Sequence, residues 1–316
     1  MTDIEKTNET DISIIIPLYN ESDNINDLCS ALENYDCDKS YSIELIFVDD
    51  GSKDDTLVKV KAFPYKNTKV KIVNLSKNYG SHAAIRAGMT IAGSEYTMLF
   101  SGDLQEPVEL IGMLFDKIVQ GYDAVYVQKG RVEVKQSESL FSQIYAKMIQ
   151  KFAVAEFPNR GLNNFMITSK VREYVNRNIE ANSSIFLQIV SLGFKRDIIT
   201  CDYTERKYGT SKWTFGKKVK LFIDSFVAFA YAPIRAISII GILLSVIGGL
   251  FALYIIIVKM FNLVELDAGY PTLISVLLIG FGLTNISLGV LAEYLWRTLD
   301  ASRDRPVFVI DEVFEL

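Results

Sequence analysis

The chain has 316 residues, 49% of them hydrophobic, and a formal charge of −5, enough for one large α/β domain plus a more apolar region; the acidic balance excludes a general nucleic-acid binder. Three cysteines, Cys29, Cys37 and Cys201, are odd in number and lack metal-ligand spacing, so they read as free thiols in a reducing compartment. Residues 1–10 are polar, without the basic start and apolar core of a signal peptide, and the amino-terminal domain is expected to stay in the cytoplasm.

The run at 12–16, apolar but for Ser13, predicts a buried strand closing in Pro17, Leu18, Tyr19, Asn20 and Glu21. Ser22 or Asp23 then caps a helix with Ile25, Leu28 and Leu32 on one face. Residues 43–48 predict a second strand, ending in Asp49, Asp50, Gly51 and Ser52. Adjacent carboxylates after a buried strand repel one another unless something binds them, whereas Asp54 or Asp55 suits the cap of the next helix. A third strand at 70–75 leads through Ser76, Lys77, Asn78, Tyr79 and Gly80 to a small-residue helix over 82–92. Gly80 permits a tight turn and Lys77 has the reach to meet a phosphate. His82, the single histidine, starts that helix and reads as a surface or capping residue.

Next comes a short apolar strand at 96–100 and an acidic turn, Ser101, Gly102, Asp103, Leu104, Gln105, Glu106 and Pro107, with Pro107 suited to the first turn of a helix over 107–120. Asp103 and the amide oxygen of Gln105 supply two hard oxygens for Mg²⁺ or Mn²⁺ bridging a diphosphate; helix capping by Asp103 is the alternative. A strand at 124–128 continues an alternation that predicts an α/β fold with a doubly wound, mainly parallel sheet, whose ligands bind at this edge. Lys129, Gly130 and Arg131 open a candidate mobile lid, followed by a helix at 139–155; a segment at 165–168, helical patterns at 170–178 and 184–192 and an extended run at 194–204 complete the globular part, in an arrangement the pattern does not set.

Residues 204–213 form a basic, glycine-hinged loop, and 215–231 carry Val219, Phe222, Ile223, Phe226 and Ala230 opposite Lys217, Lys220 and Asp224, as an amphipathic interfacial helix would. Residues 236–258 and 270–292 are uncharged, and each exceeds the roughly 20 residues that span about 30 Å of hydrocarbon, so two transmembrane helices are expected. Basic residues flanking the pair place both termini in the cytoplasm. The expected division is a tail at 1–10, a catalytic domain at 11–205, a basic loop and juxtamembrane helix at 206–233, a transmembrane hairpin at 234–297 and a cytoplasmic tail at 298–316.

Taken together, Pro17 to Glu21, Val48 to Ser52, Ser76 to Gly80 and Asp103 to Pro107 resemble the motifs of the family 2 glycosyltransferases, and within them the polyprenyl-phosphate group. The resemblance implies a GT-A-like fold and an inverting transfer of one sugar from a nucleotide sugar, with uridine diphosphate favoured, to undecaprenyl or another polyprenyl phosphate. The transfer would occur at the cytoplasmic face of the inner membrane, for cell-surface glycan modification. It implies that Pro17, Tyr19, Asn20, Glu21, Asp49, Asp50, Lys77, Gly80, Gly102 and Asp103 hold the nucleotide sugar and that Asp103 and Gln105 hold the metal. Asp103, Arg206 and Lys212 would serve catalysis, and Lys129, Arg131, Arg206, Ser211 and Lys212 would meet the lipid phosphate. A homo-oligomer and a separate flippase are further partners it allows; nucleic acid is not one.

Two positions depart from the family pattern. Ser101 stands where an additional acidic residue is usual, and Asn163 stands where many relatives carry an aspartate proposed as base. Asparagine takes no proton at neutral pH. A sugar hydroxyl needs a general base to attack, whereas a lipid monophosphate is already an oxyanion and needs alignment and charge shielding, which favours the phosphate acceptor. The alternatives are transfer to a hydroxyl of a lipid-linked or growing glycan, and a catalytically inactive, membrane-anchored sugar-nucleotide sensor or scaffold.

Overall fold

The computed structural model describes residues 10–36, 41–130, 147–151, 154–158, 161–179, 183–203, 232–261, 269–303 and 305–316. Apolar runs become largely buried strands, β1 (Ile12–Leu18), β2 (Ile43–Asp49), β4 (Tyr96–Leu99) and β5 (Ala124–Lys129), while β3 (Lys69–Leu75) has Lys69 exposed and Lys71 and Asn74 half-buried. Three more, β6 (Asn164–Thr168), β7 (Arg196–Cys201) and β8 (Ile310–Glu315), complete one eight-stranded sheet in the order β7-β5-β6-β4-β1-β2-β3-β8.

The expected mainly parallel sheet is a mixed one. β1 runs parallel to β2 and β4, β2 to β3, and β5 to β7, but β6 lies antiparallel between β4 and β5, and β8 antiparallel to β3. Strand–helix alternation predicts parallel neighbours only where a helix crosses over between them, and β6 enters between two strands that are already in place. The last residues, expected as a tail, instead cap the edge of β3. Phe314 packs against the core there, with the Lys61 ammonium 3.3 Å from its ring centroid.

Helices α1 (Ile25–Asp36), α2 (Thr56–Ala62), α3 (Ser81–Ile91), α4 (Leu110–Ile118), α5 (Ser169–Arg177) and α6 (Ile185–Ser191) flank the strands. Pro107 lies before α4 rather than within it. One core joins Ile14 and Ile16 of β1, Leu45 and Phe47 of β2, Leu28 and Leu32 of α1, and Leu110 and Leu114 of α4. On the other side α3 lies against β1 and β2.

Residues Phe229–Arg305 form a second compact unit, distinct from the unit of Met1–Ala228 and Pro306–Leu316. It contains α7 (Ala232–Met260) and α8 (Tyr270–Ser302), so both uncharged runs are helical. The expectation of two transmembrane helices is corrected: among the described residues no helix is long and apolar enough to cross a membrane. Both helices continue past the uncharged runs into charged residues, Arg235 and Lys259 in α7 and Glu293, Arg297 and Asp300 in α8. Asn285 of α8 donates its side-chain amide to the Phe281 carbonyl of its own helix at 3.0 Å. The interfacial helix expected at 215–231 lies outside the described residues.

Close packing of α3 on the sheet depends on Gly88, where an added Cβ would lie 2.5 Å from Ile15 Cγ2 and 3.1 Å from Val48 Cγ2. Gly88→Ala is expected to destabilise the protein by about 1–3 kcal/mol, the cost of overpacking a core, seen as a lower urea midpoint by circular dichroism.

Candidate active site

Parallel register brings the carboxyl ends of β1, β2, β3 and β4 to one edge: Leu18 pairs with Asp49, Asp49 with Asn74, and Ile15 with Leu99. The loops at those ends therefore meet, and they are tied to one another by backbone donors. Asp50 N–H donates to Leu18 O at 2.9 Å, Asn20 N–H to Ser52 Oγ at 2.9 Å, Lys53 N–H to Asn20 Oδ1 at 2.8 Å and Glu21 N–H to Thr56 Oγ1 at 2.8 Å. Asn20, at φ 49°, takes a left-handed turn that asparagine tolerates well.

The two carboxylates after β2 divide their work. Asp50 is buried and accepts Tyr79 N–H at 2.7 Å and Gly80 N–H at 2.8 Å, which fixes the loop before α3. Burial, with the neighbouring Asp49 charge adding to it against those two donors, pushes its pKa up to about 6. Asp49 accepts Ser52 N–H at 3.0 Å on Oδ2, while its Oδ1 is buried without a hydrogen-bond partner. Burial raises its pKa as well.

Beside them runs the turn after β4. Gly102 lets this turn approach β1, since an added Cβ would lie 2.6 Å from Leu18 Cδ2. Asp103 and Gln105 are half-buried, and Gln105 N–H lies 3.4 Å from Asp103 Oδ1. Their carboxylate and amide oxygens fit a hard cation that keeps other ligands of its own, and among the described residues no group of three or more His, Cys, Asp or Glu side chains could hold a metal alone.

The turn is anchored by Glu106, which the motif contains but sequence reasoning left without a role. Its carboxylate accepts Ser101 N–H at 2.6 Å and the side-chain amide of Asn164, the first residue of β6. Burial, reinforced by the Asp103 charge, outweighs these donors and pushes its pKa up to about 7. Tyr203, after β7, is buried at its hydroxyl beside this carboxylate without a well-aligned hydrogen bond, and the Lys129 ammonium lies 4.7 Å from its ring centroid. Tyr203 carried no motif signal, because β7 reaches the site only through the sheet order.

Of the residues expected in the site, Tyr19, Asn20, Glu21, Asp49, Asp50, Lys77, Gly80, Gly102, Asp103 and Gln105 lie at or just past the four adjoining strand ends. Pro17 lies on β1 beyond the last pairing with β4, where no ladder N–H is needed on that side. Lys77 is exposed, 5.0 Å from the Tyr79 ring centroid. Arg131, Arg206, Ser211 and Lys212 lie outside the described residues. His82 is corrected from a surface or capping residue: both ring nitrogens are buried without partners, Phe186 meets the ring edge-on, and burial lowers its pKa to about 4.

A family profile described as glycosyl transferase family 2 matches residues 13–180. The chain is 32% identical to "Putative glycosyltransferase CsbB" of Bacillus subtilis over 95% of this chain and 91% of that protein. It is 30% identical to "Undecaprenyl-phosphate 4-deoxy-4-formamido-L-arabinose transferase" of Proteus mirabilis over 99% and 96%. A crystal structure of S. aureus TarS 1-349 in complex with UDP-GlcNAc aligns with TM-score 0.48 and 17% identity, over 70% of this chain and 67% of that one.

The raised pKa of Asp50 has a definite sign in folding. The folded state holds this proton more tightly than the unfolded chain, so its contribution is fully present below the unfolded value near 4 and is lost as pH rises through about 6. His82 acts in the opposite direction over the same window, losing stability as pH falls from about 6.5 toward about 4. Asp50→Asn retains the His82 effect and removes that of Asp50. Relative to the variant, the wild type is expected to lose about 2 kcal/mol between pH 4 and 6.5 in urea titrations.

Proposed function

Because the chain belongs to glycosyl transferase family 2, and is thus a glycosyltransferase, we propose that it moves one sugar from a uridine diphosphate-linked donor to a polyprenyl phosphate, with inversion at the anomeric carbon. The observation that carries this reading is the meeting at one sheet edge of the Asp103 turn with the loop of Asp49 and Asp50. The acceptor follows the relative of Proteus mirabilis, whose name specifies undecaprenyl phosphate. A lipid acceptor sets the reaction at a membrane surface, on the cytoplasmic side where nucleotide-linked sugars are made.

In this reading Asp49, with one buried oxygen still lacking a donor, meets the nucleoside, and Asp50 holds the Tyr79–Gly80 loop against it. Asp103 and Gln105 would hold a divalent cation. Bound there, the ion supplies charge shielding for the diphosphate as it leaves. Lys129, at the end of β5, offers a positive charge to the acceptor phosphate.

The phosphate acceptor also agrees with the acids on hand. Glu106, with a pKa near 7, has the proton affinity of a general base, an observation that favours a hydroxyl acceptor as the second reading. Yet both its oxygens accept hydrogen bonds from the protein and it is 2% exposed, so burial keeps a substrate hydroxyl from reaching it. A phosphate oxyanion needs no such base.

Purified protein supplied with UDP-sugars and a short polyprenyl phosphate is expected to release UDP and form the glycosyl phospholipid, and Asp103→Ala or a chelator should abolish both. Transfer only to lipid-linked sugars would overturn the acceptor. Lys129→Ala should raise the lipid KM about tenfold and the donor KM little, since charge-assisted contacts contribute about 1.5–3 kcal/mol.

Asn163 supplies a second discriminating test. With a phosphate nucleophile the acid limb of the pH–rate profile should follow the second phosphate ionisation near 6, and Asn163→Asp should bring no gain. A large rescue by the aspartate across pH 5 to 9 would instead identify a hydroxyl acceptor with a missing base.

A further inference from the structure

The Asp103 turn carries backbone strain. Leu104 sits at φ 52°, in the left-handed region that a leucine rarely adopts. Such a conformation persists only when its surroundings hold it. Glu106 supplies the hold from two residues away: it bonds the backbone N–H of Ser101, on the far side of the strained residue, and its other oxygen is fixed by Asn164 on β6. The loop end after β4 is therefore pinned to a strand that is next to β4 in the sheet but more than fifty residues later in the chain. Asn164 keeps its own Oδ1 buried and unpartnered, so the amide serves this contact alone among the described residues.

We propose that Glu106 is a positioning residue: its bonds to Ser101 and Asn164 fix the left-handed turn at Leu104, and with it the placement of Asp103 and Gln105 on which joint binding of a divalent cation and a nucleoside diphosphate depends. This rests on the reading of Asp103 and Gln105 as the cation's ligands. Glu106 does not touch the ion or the substrate; it acts through the backbone between Ser101 and Gln105.

The polarity of the Glu106–Asn164 contact makes this testable by exchange. Mn²⁺ is titrated into the protein in the presence of UDP, free Mn²⁺ is read by electron paramagnetic resonance, and each variant's melting temperature is recorded. Asn164→Asp sets two carboxylates against each other and is expected to weaken Mn²⁺ binding about tenfold. Glu106→Gln combined with Asn164→Asp restores the contact with donor and acceptor interchanged, and affinity should return to within about threefold of wild type. Asn164→Ala removes the amide without adding charge, should also bind about tenfold more weakly, and serves if the aspartate variant melts early. Wild-type affinity in a folded Asn164 variant, or a double variant as weak as Asn164→Asp, overturns the role of Glu106. Asp103→Ala separates the two levels: it should lose Mn²⁺ binding outright. Retained binding in Asp103→Ala overturns the ligand reading, and the proposal with it, whereas lost binding alongside intact Asn164 variants overturns Glu106 alone.

Discussion

A carboxylate buried at the edge of a sheet survives only where N–H donors meet it, and that constraint organises the candidate site. Asp50 takes two backbone N–H groups from the loop before α3, Asp49 takes one from Ser52, and Glu106 takes one from Ser101 and a side-chain donor from Asn164. Each acid thereby ties its loop to another strand or loop. Burial still outweighs these bonds, since all three acids have raised pKa values. Among these three acids only Asp49 Oδ1 is left buried without a hydrogen-bond partner.

The sheet order explains why these acids meet. β1 lies at its centre, with β2 and β4 on either side, so the loops after the second and fourth strands in sequence flank the same edge. The insertion of β6 between β4 and β5 adds a reversed strand, and that reversal carries the start of β6, with Asn164, to the edge where the parallel strands end. β8 has a different task at the far side. It covers the flank of β3, closing an edge that would otherwise present unpaired backbone groups.

Chemically, the arrangement distinguishes acids that hold structure from those free to act. Glu106 has a general base's pKa but no open oxygen, and Asp50 is spent on the backbone. Asp49 retains one unpartnered oxygen. A reaction whose nucleophile arrives already ionised suits this distribution better than one that must lose a proton to the protein.

Local sequence determined the first five strands nearly residue by residue, because a run such as Ile14 to Ile16 can be buried only on both faces of a sheet, and it determined that Asp49, Asp50 and Asp103 lie at strand ends. It did not determine the partners of β6 and β8, which depend on pairings across long stretches of chain, nor the return of the last residues to the sheet. Composition also overstated the uncharged runs in α7 and α8, since lack of charge over a window does not by itself make a spanning helix. Within the site, the carboxylates were legible as motifs, but the partition of their lone pairs was not: Asp50 is an acid of the same type as Asp49, and only the backbone N–H groups that tertiary packing brings to them leave both oxygens of Asp50 held and one oxygen of Asp49 without a partner. His82 shows the same division. Its position at a helix start is written in the sequence, whereas the burial of both its nitrogens beside Phe186 comes from α6 packing over that helix.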